Sequence, residues 1–146
     1  MRKIIFLLVL GGLVSAFALA QGKRAAVSAA EVTGTFRTDD GDNEFKIQAL
    51  GRGHLKVEFF GSIKLGGEGK VNTGEASGLA LIEGDTATFT PDSVEPDQCN
   101  IRLIFTKSGA LQVVQEGSGC GFGPNVLADG VYKKVSSAKP KFKDPE

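Results

Sequence analysis

From Val32 to Val135 the chain reads as short runs in which apolar and polar residues alternate, separated by glycine-rich breaks. A period of two puts every second side chain on one face, the pattern of a strand with one buried side. No stretch after residue 30 sustains the 3.6-residue period of a long helix. The chain is therefore expected to be all-β and antiparallel.

The alternation predicts eight strands: Val32 to Arg37, Glu44 to Leu50, Leu55 to Phe59, Thr73 to Glu83, Thr86 to Thr90, Cys99 to Thr106, Ala110 to Glu116 and Gly130 to Val135. Most are joined by tight turns, such as Gly51-Arg52-Gly53, Gly84-Asp85 and Lys107-Ser108-Gly109. Gly61 to Lys70, Pro91 to Gln98 and Gly117 to Asp129 read as longer loops. Successive hairpins predict a meander, either a small closed barrel or a sandwich. The barrel is preferred, because closure removes exposed strand edges. Its inward set would be Phe36, Phe45, Phe59, Phe89 and Phe105 with Ile47, Leu55, Val57, Ile101, Leu103, Leu111 and Val113. Eight strands enclose a space only just wide enough for side chains. A filled interior is therefore expected, although Ala49, Ala76, Gly78, Ala80 and Ala87 leave one side less crowded.

The two cysteines, Cys99 and Cys120, lie nine residues before and twelve after Ser108. A hairpin folded at Ser108 brings both to the same open end. A disulfide there would close a loop of about 20 residues and contribute roughly 3 kcal/mol in the chain-entropy account. The competing reading is a pair of free buried thiols.

The N-terminus points to an oxidising destination. Arg2 and Lys3 precede an apolar stretch that ends in Ala18-Leu19-Ala20, the layout of a cleavable secretory signal over residues 1–20. A retained membrane anchor is the alternative, and the stretch is only just long enough for one. No cysteine stands near the cleavage site to accept a lipid. After cleavage, residues 21–31 are expected to form a flexible leader, 32–135 the barrel, and 136–146 a disordered tail rich in lysine and proline. The protein would then be periplasmic or secreted, without a membrane anchor. Of the 17 basic and 17 acidic residues, Arg2 and Lys3 leave with the signal, so 15 stand against 17 and the net charge becomes −2. A phosphate-binding surface needs a basic surplus, so nucleic acid is not expected as a partner.

Candidate chemistry is sparse. The single histidine, His54, sits at a turn with no partner marked by sequence, and an acid–base device needs a base held by a third group. With both cysteines bridged, no nitrogen–sulfur zinc set remains, and no metal or cofactor is expected. Asp39, Asp40, Asp42 and Glu44 lack the distant glutamate of a calcium loop, since Gly51 stands twelfth from Asp40; they read as a solvated turn, with a weak Ca²⁺ contact as the alternative. Gly66-Gly67-Glu68-Gly69-Lys70 is followed by Val71 and no helix, so it is not a phosphate loop. The segment Cys120 to Tyr132 is the most unusual. It reads either as a plug, with Phe122 and Val126 covering one barrel end and Asn125 bonding loop backbone, or as a rigid recognition loop carrying Phe122, Asn125, Val126 and Asp129.

The opening Val32-Thr33-Gly34-Thr35-Phe36 resembles the first strand of avidin-like and lipocalin-like barrels, with Phe36 where those families carry tryptophan. The run Cys120-Gly121-Phe122-Gly123-Pro124-Asn125-Val126-Leu127-Ala128-Asp129-Gly130-Val131-Tyr132 resembles that of small, uncharacterised bacterial secreted proteins. The format of an exported, disulfide-bonded barrel is similar to that of the periplasmic inhibitors of C-type lysozymes. These resemblances imply the format of an exported, disulfide-bonded barrel and transfer no function; the binding reading rests on the sparse chemistry. The expected function is a non-enzymatic interaction protein that meets another protein or an envelope component, an inhibitor among the forms this takes. The alternative is a carrier of a small apolar ligand inside the barrel; a third reading, an enzyme, has no candidate residues, although barrels host chemistry that needs few groups.

Overall fold

The computed structural model describes residues 26–66 and 69–143, and in it eight antiparallel strands close into one barrel. They are β1 (Gly34–Arg37), β2 (Asn43–Gly51), β3 (His54–Leu65), β4 (Lys70–Glu83), β5 (Thr86–Phe89), β6 (Asn100–Phe105), β7 (Ala110–Glu116) and β8 (Gly130–Ser136). Each strand pairs with the next, and β8 returns to pair with β1, so the meander closes and the sandwich is excluded. The signal segment, its cleavage site, residues 21–25 of the leader and residues 144–146 lie outside the described residues.

Period-two patterning puts the expected residues inside. All twelve inward candidates are buried, along with Tyr132. Paired positions meet across the interior face, as in Phe45 opposite Phe59, Ile47 opposite Val57 and Phe105 opposite Leu111. The ring centroids of Phe45 and Phe59 are 4.8 Å apart, those of Phe45 and Tyr132 are 5.1 Å apart, and Phe36 meets Phe105 edge-on at 6.0 Å. Burying each such side chain contributes roughly 1.5–3 kcal/mol.

Three stretches differ from the sequence reading. Residues 29–32 form a single helical turn, α1 (Ala29–Val32), where a flexible leader and the start of a strand were expected. Ser28 and Glu31 make a capping box: the Ser28 hydroxyl accepts from the Glu31 N–H, and the Glu31 carboxylate accepts from the Ser28 N–H at 2.7 Å. These bonds hold the Glu31 carboxyl below its usual pKa. Val32 is buried beneath the turn.

The expected loop Gly61 to Lys70 is instead mostly strand, because β3 runs on to Leu65 and β4 begins at Lys70. Gly61 is a packing residue and not a turn residue. A Cβ there would lie 2.6 Å from the Phe59 ring and 3.1 Å from Val126 Cγ1.

The tail also departs from expectation. Residues 137–143 carry no regular structure, yet Pro140 is buried and Lys143 bonds to β3 and β4. Lysine and proline content alone reads as solvated chain; the acidic partners that hold this segment lie far away in sequence.

The barrel has two unlike ends. The β2–β3, β4–β5 and β6–β7 turns and α1 lie at one, and the other connections, the long β5–β6 and β7–β8 loops among them, lie at the other. β4 has 14 residues, whereas its neighbour β5 has only four. Below β5, the side of β4 away from β3 is met by loops: the Asp92 N–H donates to the Ser77 carbonyl at 2.9 Å, and the Gly123 N–H donates to the Thr73 carbonyl at 2.9 Å. The Cys99–Cys120 disulfide joins these two loops, with Cα atoms 4.9 Å apart.

Candidate functional site

The loop 117–129 leaves β7 at Gly117, is fixed by Cys120, and crosses the long-loop end of the barrel before entering β8. Phe122 turns inward, its ring centroid 5.0 Å from that of Phe59. Gly74 of β4 makes room for it, since a Cβ there would lie 2.8 Å from Phe122 Cβ. From Val126 on, the loop alternates: Val126 and Ala128 are buried, while Leu127 and Asp129 are exposed.

Polar side chains from distant strands hold the loop backbone. Asn72 Nδ2 donates to the Pro124 carbonyl at 2.7 Å, and Asn43 Nδ2 donates to the Leu127 carbonyl at 3.0 Å. The Gln115 side-chain oxygen accepts from the Ala128 N–H at 2.9 Å. The buried Tyr132 hydroxyl donates to the Ala128 carbonyl at 2.7 Å. Burial raises the pKa of that phenol, against a lesser opposing effect of Asn43.

The four candidate residues therefore divide. Phe122 and Val126 are inward and serve the plug. Asp129 is exposed, but its carboxylate accepts from the Gln115 N–H at 2.8 Å, which anchors the loop to β7. Asn125 is exposed with φ of 65°, a left-handed conformation that asparagine tolerates better than most residues. The expected bonds from Asn125 to loop backbone come instead from Asn43 and Asn72. Leu127, 54% exposed, is the residue that sequence reasoning missed. The alternation that buries Val126 and Ala128 was the available signal. Pro124, Asn125 and Leu127 form the outward surface of a loop whose other side is core.

The remaining candidates are dispersed. His54 is exposed at the start of β3. Asp39 pairs with Lys133 at 2.8 Å, and Glu44 pairs with Arg37. Asp40 accepts from the Thr38 hydroxyl and the Asp42 N–H, which lowers its pKa. Among the described residues no group of three or more His, Cys, Asp or Glu side chains is placed to hold a metal ion.

At the opposite end, a groove of about 270 Å³ lies between α1 and the β6–β7 turn, walled by Val27, Ala30, Phe105 and Ala110. Lys134 borders it, but its Nζ donates to the carbonyls of Ala30 and Glu31, both at 2.8 Å, and so ties α1 to β8. Partial burial lowers the Lys134 pKa, partly offset by Glu31. The groove falls below the roughly 300–1,000 Å³ of sites that enclose a small ligand.

No protein-family model, curated protein or solved structure matches this chain.

Proposed function

We propose that this protein is an exported, non-enzymatic binding module. Its barrel is a rigid scaffold, and the outward surface of the loop 117–129, centred on Asn125 and Leu127, meets a protein or envelope component. The observation that carries this reading is the occupied interior. With Phe36, Phe45, Phe59, Phe89 and Phe105 all buried inside, the rim and outer faces remain for recognition. The loop is also pre-organised by a disulfide and by bonds to β2, β4 and β7, which lowers the ordering cost of binding.

Residues 1–20 supply the export reading. N-terminal sequencing of the exported protein should begin at Gln21, and Met1 on that product would remove it. The binding reading is tested with envelope extract and two baits, the mature wild type and Leu127→Asp. A partner retained by wild type and lost by the variant is the expected result. The carrier alternative has its own test in Phe105→Ala. A filled core should lose roughly 3–5 kcal/mol on that change, and wild type should not bind an apolar fluorescent probe. Stoichiometric probe binding that Phe105→Ala alters at little cost in stability would establish the carrier instead.

A further inference from the structure

The segment 137–143 lies across the outer face of the barrel and is held by side chains. Lys56, Glu58 and Phe60 stand on the outer face of β3, and Glu75 of β4 is directly opposite Phe60. The backbone N–H of Lys143 donates to Glu58 Oε2 at 2.9 Å, and Lys143 Nζ reaches Glu75 Oε1 at 2.6 Å. The other oxygen of Glu58 is taken by Lys46 Nζ at 3.1 Å. Lys56 Nζ sits 4.6 Å from the centroid of the Phe142 ring, and Lys143 Nζ sits 6.0 Å from that of Phe60. Pro140 is buried and Phe142 half-buried.

This is a small recognition site with its parts in order. Two carboxylates receive a backbone N–H and an ammonium, one cation takes the face of an aromatic ring, and one ring flanks the ammonium. The bonds end on side-chain carboxylates and not on the backbone of a neighbouring strand. The Lys143–Glu75 pair is solvent-exposed on both sides, at 63% and 52%, and such pairs are weak and screened by salt.

We propose that the outer face of β3 and β4 is a docking site for an extended segment of a partner protein in which an aromatic residue is followed by lysine, and that the chain's own residues 140–143 occupy it until that segment competes. The seated segment itself defines this occupant: its Phe142 ring meets the Lys56 ammonium and its Lys143 ammonium meets the Glu75 carboxylate. The site is built from outward side chains of β3 and β4 and uses no residue of the loop 117–129, so it stands independently of the function proposed above.

The test uses a chain lacking residues 138–146 and a synthetic peptide with the sequence of residues 137–143, followed by amide chemical shifts. The truncated chain should bind the peptide saturably, with shifts at Lys56, Glu58, Phe60 and Glu75. The full-length chain should bind it roughly tenfold or more weaker, because a tethered segment competes at about millimolar effective concentration. A peptide with alanine in place of Phe142 should bind several-fold more weakly. The proposal is overturned by equal binding to both chains, by shifts scattered over the barrel, or by none at millimolar peptide. It is also overturned by a dimer that forms through exchanged tails and vanishes on truncation. Should the truncated chain fail to fold, full-length Phe142→Ala supplies the open site, with the same peptide outcomes deciding the question.

Discussion

The loop 117–129 and the tail 137–143 both lack regular structure, and they are held in opposite ways. The loop 117–129 buries Val126 and Ala128, is tied by the disulfide, and receives bonds from side chains on three strands. The tail 137–143 rests on an exposed ion pair, a backbone bond to Glu58 and ring–cation contacts, with Pro140 its one buried residue. The loop is thus part of the core in all but secondary structure, whereas the tail is a tenant of the surface. Absence of helix or strand says little about how firmly a segment is held; what counts is how much it buries and what its polar groups bond to.

The sharpest way to break the contrast is to open the disulfide. Cys99→Ser with Cys120→Ser should cost roughly 2–5 kcal/mol in urea unfolding, and hydrogen exchange should rise across the loop 117–129 while the tail contacts persist. A loss no larger than that of removing the tail would place both segments in one class.

Tyr132→Phe comes next. It leaves the ring in place but strands the Ala128 carbonyl, a change that costs roughly 1–3 kcal/mol when the group is buried. The same hydroxyl predicts a pH effect. Its pKa is raised on folding, so its contribution is complete below the ordinary tyrosine value of about 10 and declines as pH climbs above it. Stability measured across this alkaline range should fall for wild type and fall less for Tyr132→Phe.

Removing residues 138–146 should lower the unfolding free energy little, by about 1 kcal/mol or less, as expected for exposed pairs. A cost approaching that of the disulfide would mean that the tail is structural. The smallest effect is reserved for Glu75→Gln. Global stability should be unchanged, but salt titration followed at the Phe142 amide should show the tail already released at low ionic strength, where wild type still holds it. If salt releases neither chain, the ion pair is not what seats the tail.

These two segments also mark how far the sequence could be read. The barrel was legible because Phe45, Ile47, Leu55, Val57 and Phe59 obey a strict period of two, and a one-residue slip would turn them all to solvent. The disulfide followed from the hairpin at Ser108. The helical turn went unread: Ser28 and Glu31 have capping-box spacing, but a turn of four residues is too short to show a helical period. Gly61 reads as the start of a loop because a glycine needed for close approach looks the same in sequence as one that ends a strand. The facing of the loop was out of reach. Which side of Asn125 meets the barrel depends on Gly74, Asn43 and Asn72, and none of these is a sequence neighbour. The tail failed for the same reason: its partners Glu58 and Glu75 are 85 and 68 residues from Lys143.

The inequality between β4 and β5 has a further consequence. A strand of 14 residues beside one of four keeps a stretch of hydrogen-bonding edge that only the two bridged loops cover. A chain that reaches its final shape without oxidising Cys99 and Cys120 leaves the edge around Thr73–Ser77 guarded by untethered loops, and an uncovered edge recruits another strand. The failure to expect from a reducing environment is therefore concentration-dependent self-association through β4, ahead of simple unfolding. The bridge acts on colloidal behaviour as much as on folding free energy.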